Sequence, residues 1–479
     1  EIRVGIRTGD STASEKARML KKPPHIFVTT PESLAISLTT KKFIELFYCV
    51  EFVIIDEIHS LDNKRGVYLS ISLERLEDLS NLTPVRIGLS ATVFPLDTIA
   101  NFLVGMNREC IIAEVKMNKN NEIKVLPGFN NFWELNTNSI YDSIYSTLNR
   151  LIQDHKTTLI FTNTRSATER VIHHLKEKFP ENYLDNIEAH HSSLSKEHRF
   201  EIEKKLRDGN LKVVVTSTSL ELGIDIGSIN LVILLGSPKG SARALQRIGR
   251  SGHGLNDTSK GIFLVLDRDD LVECSILNKE CNERKIDKIY IPKNCLDVLS
   301  QQIYGMCIQK IWFIDDLFSV IKKSYCYSDL TKEDFMAVIS YLSGEYALEK
   351  RNVYAKIWYD KENKKVGKKG KLARVIYITN IGTIPEESFV DVISKNDLKM
   401  NKIGVIDEPF LEKIKVGDVF VLGGKKYQFM YTRGMKMYVK SGVKKNPTIP
   451  SWFSEQMPLN FDSAIEINKF RKIINDKLE

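Results

Sequence analysis

Short apolar runs of strand length recur through the first half of the chain with helical patterns between them, and this alternation limits the fold more than any other feature. "HIFVTT" (25–30), "EFVIID" (51–56) and "VRIGLSAT" (85–92) make one series. "TTLIFTNT" (157–164), "NIEAHHSS" (186–193), "KVVVTSTS" (212–219), "LVILLG" (231–236) and "GIFLVL" (261–266) make a second. Uninterrupted apolar strands that alternate with amphipathic helices belong to parallel sheets covered on both faces. The opening stretch "EIRVGIRTGD" reads as a further strand, so that the chain looks cut from something longer. Residues 109–138, with "MNKNNEIKVLPGFNN", carry no strong period and read as a linker. The expected class is therefore α/β, with parallel-sheet lobes over 1–108 and 139–284.

Beyond about residue 285 the pattern changes. "NCLDVLSQQIYGMCIQ", "FIDDLFSVIKKS" and "TKEDFMAVISYLSG" have helical spacing, and "NVYAKIWYDKENKKVGKKGKLARVIYIT" then reads as strand, lysine-rich turn, strand. Three helices and a hairpin match a winged helix over 285–365. Glycine-punctuated segments such as "IGTIP", "VGDVFVLGGKKYQFM" and "GMKMYVKSG" predict a small β-barrel region over 366–450. Residues 451–479 read as the start of an element left incomplete. A length of 479 residues suits three or four such domains.

Charge is distributed unevenly. The net charge is +8, whereas residues 351–450 hold 21 basic against 10 acidic side chains, or +11, which leaves the remainder near balance at −3. A basic C-terminal half points to nucleic acid, with a solvated lysine surface as the plainer reading. "KENKKVGKKGK" (361–371) concentrates six lysines at the expected wing turn. No apolar run reaches the roughly 18 residues of a membrane span and no signal peptide opens the chain, so a cytoplasmic location is expected. Seven cysteines without a CxxC pair suggest buried thiols in a reducing compartment rather than disulfides or zinc.

"FVIIDEIHSL" (52–61) places Asp56 and Glu57 where a strand ends, which is where open parallel sheets bind ligands. An aspartate there can hold Mg²⁺ through water, and the next carboxylate can deprotonate an attacking water. Alone, such a pair could equally cap the following helix. It is not alone: "RTGD" (7–10), "TTPESL" (29–34), "DEIH" (56–59), "SAT" (90–92), "IFTNTRSATE" (160–169), "TSTSLELGIDIG" (216–227) and "QRIGRSGH" (246–253) follow in order. This series resembles superfamily 2 helicases, from their second motif to their sixth, over both α/β lobes. "TNTRS", "SLELGIDIG" and "QRIGRSGH", with "LDVLSQQIYGM" and "YSDLTKEDFMAVISYLSG" downstream, look specifically like the large helicase-related (Lhr) family, with the resemblance covering nearly the whole chain.

The resemblance implies two RecA-like lobes, the first incomplete, and assigns roles by position. Asp56 would hold Mg²⁺, Glu57 would be the general base of ATP hydrolysis, and His59, Ser90 and Thr92 would couple nucleotide state to lobe movement. Arg250 would be the arginine finger, of a kind worth roughly 10³ to 10⁵ in phosphoryl transfer, with Gln246 beside the phosphates. Asp225, Gly223 and His253 fall on the nucleotide side, and for Asp225 bracing of its loop is an equal reading. His253 stands where most superfamily 2 members carry a second arginine, and a neutral imidazole cannot replace a guanidinium fork. A single finger is therefore expected. Nucleic-acid phosphates would meet Arg7, Thr30 and Pro31 in the first lobe and Thr162, Asn163, Arg165, Thr216 and Ser217 in the second. For Thr30 a helix N-cap alone is a sufficient reading, and for Arg7 so is a turn salt bridge with Asp10. His190 and His191 read as a strand-end pair near the nucleic-acid path, not as metal ligands.

One expected motif is missing. G-x-x-x-x-G-K-[ST], the loop that cradles ATP phosphates, occurs nowhere in the sequence. In this family it lies upstream of "RTGD", so this stretch is expected to be most of an ATP-dependent helicase that alone hydrolyses ATP poorly or not at all. The family likeness favours tracking of single-stranded DNA, unwinding of DNA or RNA:DNA duplex, and a role in DNA repair. A nucleic-acid binder without ATPase activity and an RNA helicase stay open as alternatives.

Overall fold

In the computed structural model the chain forms two compact units, residues 1–114 with 288–385 and residues 115–287 with 386–479. The structure describes residues 1–478 apart from 115–119, 130–136, 222, 225, 253–256, 346–354, 383–388, 397–398, 444, 451 and 453–456. Among the described residues no helix is long and apolar enough to cross a membrane.

The first unit holds two parallel strand pairs, Val4–Arg7 with Ile26–Thr29 and Phe52–Ile55 with Val85–Gly88. One face of these strands is open: Val4, Ile6, Ile26, Val28, Phe52, Ile54, Val85 and Ile87 are all exposed, Phe52 by 60%. Doubly wound sheets cover such a face with helices. Beside the strands lies the helix Lys64–Leu79, buried without interruption from Gly66 to Leu76. A helix buried all round needs neighbours on every side. It packs on Pro31–Ser37 and on Leu296–Gln309 and Ile314–Lys322, two helices of the winged-helix region.

Its buried polar groups are matched accordingly. Gln302 Nε2 donates to the Tyr68 carbonyl (2.9 Å) and Ser72 Oγ (3.0 Å), while its Oε1 accepts from Arg75 Nη1 (2.8 Å). The Tyr68 and Tyr377 hydroxyls meet at 3.1 Å. Winged-helix and first-lobe residues thus share one core. The winged region has helices Leu296–Gln309, Ile314–Lys322 and Lys332–Ser343 and a sheet of Trp312–Phe313, Lys365–Lys368 and Ile357–Asp360.

The second unit is built on six parallel strands in the order Asn121–Pro127, Ser259–Val265, Leu231–Leu235, Thr158–Phe161, Val213–Thr216, Ile187–His190. The strands 158–161, 187–190 and 213–216 are buried at every position, the second of them with Glu188 and His190 among its four residues. A second sheet runs Lys399–Asp407, Phe389–Asn396, Lys436–Ser441, Lys425–Thr432, Val419–Leu422. It joins the lobe through a bridge between Leu194 and Gly404, and through Glu169, whose buried carboxylate accepts the amides of Gly423 and Gly424 (2.8 Å to the latter). Both glycines sit at positive φ (63° and 67°), as a two-residue hairpin turn requires.

Two sequence expectations are corrected. The linker over 109–138 contains the strand Asn121–Pro127, which pairs along its length with Ser259–Val265. It escaped a periodicity reading because it is a sheet edge whose polar Glu122 and Lys124 interrupt the apolar positions. "LARVIYIT" is not the second wing strand but the helix Ala373–Thr379, while the wing strand Lys365–Lys368 lies inside the lysine tract. Val375, Ile376 and Ile378 favour strand locally, yet Ala373 and Tyr377 pack as an i, i+4 pair on Tyr304, and tertiary packing overrides propensity. The 365/366 boundary therefore falls within one unit, which extends to residue 385. In the tail, Phe461–Leu478 is a helix docked on Arg268–Glu283 through Ser463 and Arg471. Of "IGTIP", residues 383–385 lie outside the described residues.

Candidate functional site

Asp56 and Glu57 follow the buried Ile55 at the carboxyl end of their strand. Glu57 takes left-handed backbone angles (φ 50°, ψ 42°), which are uncommon for a residue with a side chain and concentrate at functional turns. This turn lets the Glu57 carbonyl accept from Ser60 N (2.9 Å) and Ser60 Oγ (2.8 Å). Asp56 is exposed, and its Oδ1 accepts the Glu57 amide at 2.9 Å.

His59 connects this pair to the next motif. The Ala91 amide donates to His59 Nδ1 (3.2 Å), so that Nδ1 carries no proton and the ring proton sits on Nε2, which faces Glu57 Oε2 at 3.4 Å. Ser90 Oγ also lies 3.3 Å from Nδ1 and donates to the Ala91 carbonyl. One imidazole thus touches both the "DEIH" carboxylate and the "SAT" backbone. Thr92 is exposed and joins no hydrogen bond among the described residues.

In the second unit, "QRIGR" spans the end of the helix Ser241–Ile248. Arg250 donates from Nη2 to the Glu221 carbonyl (2.8 Å) and from Nη1 to the Ile224 carbonyl (3.1 Å), which ties it to the loop of the preceding motif. Arg247, 1% exposed, pairs with Glu221 (3.0 Å) and lies 5.1 Å from the Phe161 ring. Burial holds its pKa below the usual guanidinium value. Sequence reading passed over Arg247 and Glu221, although both lie inside quoted motifs. Gln246 is half-buried on the same helix and Gly223 is exposed beside Ile224. Asp225 and His253 lie outside the described residues.

The strand-end residues divide sharply. Thr30 is the N-cap of Pro31–Ser37, its Oγ1 accepting the Ser33 amide (3.3 Å), with Pro31 at the first position, and Glu32 makes a bidentate pair with Arg65 (2.6 and 3.2 Å). Arg165 is half-buried and donates to Ser193 Oγ at 2.7 Å. Others are turned inward. The Thr162 hydroxyl is buried against Thr168 Oγ1 (2.8 Å) and the Thr164 carbonyl (3.0 Å), and buried Thr216 meets Ser219 Oγ (3.1 Å). Ser217 is buried as well, whereas Thr218 beside it is exposed. The N-cap of Arg165–Lys178 is Thr164, whose Oγ1 accepts from Ala167 (3.1 Å). Asn163 Nδ2 donates to the Ser237 carbonyl (2.9 Å).

Arg7 is 6% exposed and stacks 3.7 Å over the Phe43 ring, and burial lowers its pKa. Neither a backbone-contacting surface arginine nor an exposed turn pair describes it. His190 and His191 are buried too, the first between Ser219 and Glu203, the second against Glu169 (2.9 Å) and Trp452. They belong to the core and not to a surface path. In the wing tract Lys361 pairs with Glu345 (3.0 Å) and Lys365 stands over Phe313, while Lys364, Lys368, Lys369 and Lys371 are exposed.

Comparison with known proteins agrees with this layout. Residues 1–100 match the DEAD/DEAH box helicase description, 143–254 the helicase conserved C-terminal domain, and 279–449 the large helicase-related protein winged helix domain. The chain belongs to the large helicase-related family. It is 55% identical over 472 residues to the ATP-dependent helicase Lhr-Core of Methanocaldococcus jannaschii, covering 98% of this chain and 54% of that protein. To the Lhr helicase/uracil glycosylase of Escherichia coli it is 30% identical, covering 95% and 32%. The chain thus spans about half the length of the archaeal Lhr-Core relatives it matches. Among solved structures, Mycobacterium smegmatis helicase Lhr bound to ssDNA and AMP-PNP superposes with a TM-score of 0.73 at 33% identity, over 81% of this chain and 50% of that one. The DUF1998 helicase MrfA bound to DNA and AMPPNP shares the fold, at 18% identity and a TM-score of 0.72 over 93% and 60%.

Proposed function

We propose that this chain supplies the motor lobes and winged helix of an ATP-dependent nucleic-acid helicase that tracks a single strand of DNA and opens duplex ahead of it. The observation that carries this reading is the contact chain from Glu57 through His59 to Ser90 and Ala91. It gives the carboxylate of the hydrolytic motif a direct mechanical link to the neighbouring strand end. A change in what Glu57 holds is then felt at residues 90–91. The DNA-bound and AMP-PNP-bound Lhr relative supports nucleotide and strand as ligands.

Glu57 accepts the proton of the attacking water, and the Nε2–H of His59 steadies the carboxylate for that task. Asp56 fits an Mg²⁺ ion: its Oδ1 is occupied by one amide, and its exposed Oδ2 suits a hydrated cation that keeps several waters. When bound, the ion neutralises phosphate charge. Arg250 supplies positive charge from the second lobe. Cradling of the ATP phosphates falls to a glycine-rich loop that none of these residues supplies. Transfer to an RNA strand is tested by matched DNA, RNA and hybrid duplexes. A cytoplasmic location and a part in DNA repair follow the family likeness.

The test is Glu57→Gln in the full-length protein. Strand-stimulated ATP hydrolysis should fall by at least about a hundredfold, with ATP and strand binding retained. Normal turnover in that variant removes the catalytic assignment.

A further inference from the structure

The second sheet of the second unit presents an aromatic and basic face that none of the helicase motifs uses. Strand Lys425–Thr432 points Tyr427 and Phe429 into the core, and strict alternation would send Tyr431 the same way. A register shift between Phe429 and Tyr431 inserts one extra residue, Met430. Beyond it Tyr431 is exposed by 43% and faces its register partner Tyr438 with ring centroids 4.7 Å apart and planes 16° apart. Lys436, Tyr438 and Lys440 alternate with the buried Met437 and Val439, which places all three on the outer face.

The neighbouring strand adds Phe389 and Asp391, and the turn adds Arg433 and Met435. Phe389, Asp391, Arg433, Met435, Lys436 and Tyr438 line a groove of about 470 Å³. Asp391, the register partner of Lys436, is ion-paired with Lys402 at 2.6 Å. Among the described residues neither Arg433 nor Lys436 has an acidic partner. The face therefore carries uncompensated positive charge around a stacked tyrosine pair.

We propose that this face binds an unpaired nucleic-acid strand, with bases stacking on the Tyr431–Tyr438 pair and phosphates meeting Arg433, Lys436 and Lys440. The proposal rests on the reading of the chain as a nucleic-acid motor and adds a contact outside the two lobes' motifs. Flat rings on an open sheet take any base, because every base has a π face, and flanking cations follow the backbone. The charge selects this occupant over an apolar peptide, since a groove that leaves two cations unpaired favours a polyanion. The bulge at Met430 is the structural device: without it Tyr431 turns inward and the platform is lost.

The test measures binding of a labelled oligo(dT) strand to full-length protein at several salt concentrations, together with photocrosslinking of a 5-iodouracil strand. Tyr431→Ala with Tyr438→Ala should weaken binding by about 10- to 100-fold, from about 1–3 kcal/mol of stacking per base. Tyr431→Phe with Tyr438→Phe should stay within about twofold, since the ring faces remain. Arg433→Ala with Lys436→Ala should flatten the salt dependence by about 1.4 in log–log slope, at about 0.7 per single-strand phosphate. Crosslinks should fall within residues 425–441. An alanine pair that binds like the wild type overturns the platform and leaves the motor reading standing. So does lost binding without crosslinks in that segment. A wild-type protein that binds no strand overturns both.

Discussion

Glu169 closes the motif "TNTRSATE", yet its side chain is fully buried and serves the second sheet. Its carboxylate accepts the two amides of the Gly423–Gly424 turn and faces His191 Nε2 at 2.9 Å. Glu169→Gln keeps the shape and creates no cavity. Glutamine offers a single carbonyl oxygen, so one glycine amide loses its acceptor and meets an NH₂ group instead. A hydrogen bond to a charged acceptor contributes about 1.5–3 kcal/mol, and a buried unpaired donor costs about 1–3 kcal/mol. The two overlap, which gives an expected loss of about 2–4 kcal/mol for local opening of the turn. Hydrogen exchange followed by mass spectrometry reads this directly. Amides in peptides spanning the turn should exchange about 30- to 700-fold faster in the variant, at about 1.4 kcal/mol per tenfold. Peptides of the first unit should be unchanged. Exchange within about threefold of the wild type refutes the view that the motif's last residue clamps the second sheet onto the lobe.

Glu280 is buried beside Ser463 and Asp287, and burial, ahead of Asp287, raises its pKa. A carboxyl with a raised folded pKa contributes stability that is full below its unfolded value and is lost as pH rises through the folded one. Thermal unfolding should accordingly show Glu280→Gln gaining on the wild type between pH 4 and pH 8. Gly305 sits in the interior of the helix Leu296–Gln309, where alanine ordinarily stabilises. Here an added Cβ would stand 2.7 Å from Tyr377 Oη and 2.8 Å from Cζ, so Gly305→Ala should destabilise the first unit by about 1–3 kcal/mol in denaturant unfolding.

How far sequence sufficed depended on what each signal encodes. Apolar continuity exposed the buried strands, because residues covered on both faces have no reason to alternate, and it failed at Asn121–Pro127, an edge strand. The Thr30–Pro31 helix start was legible since a cap is a local interaction. Motif matching singles out loops but not which side chain in each faces outward. Thr162 and Thr216 fill the core while Thr164 caps and Thr218 is exposed. That choice is set by strand direction and by partners such as Thr168 and Ser219, which no motif spacing records. The contacts of His59 with Glu57 and with the Ala91 amide come from the structure alone, since the motif match gave His59, Ser90 and Thr92 a coupling role without saying what they touch. Burial of Lys64–Leu79 on both sides could not be read, because half its partners lie more than 200 residues further along the chain.

Arg250 raises the question of whether a finger already bonded to protein can serve a phosphate. Its guanidinium has five N–H donors in a fixed plane, and the contacts to the Glu221 and Ile224 carbonyls use one from each terminal nitrogen. Both carbonyls lie on the loop of the preceding motif, so that loop fixes where the guanidinium points. Lysine carries the same charge on a single nitrogen and cannot span two carbonyls and a phosphate at once. If position as well as charge matters, Arg250→Lys in the full-length protein should lose strand-stimulated ATP turnover nearly as severely as Arg250→Ala, by about 10³-fold or more. Strand affinity should hold in both. Should lysine restore turnover to within about tenfold of the wild type, charge alone suffices and the two carbonyl contacts merely park the side chain. Should both variants lose strand affinity in step with turnover, Arg250 belongs to the nucleic-acid surface instead of the phosphate site.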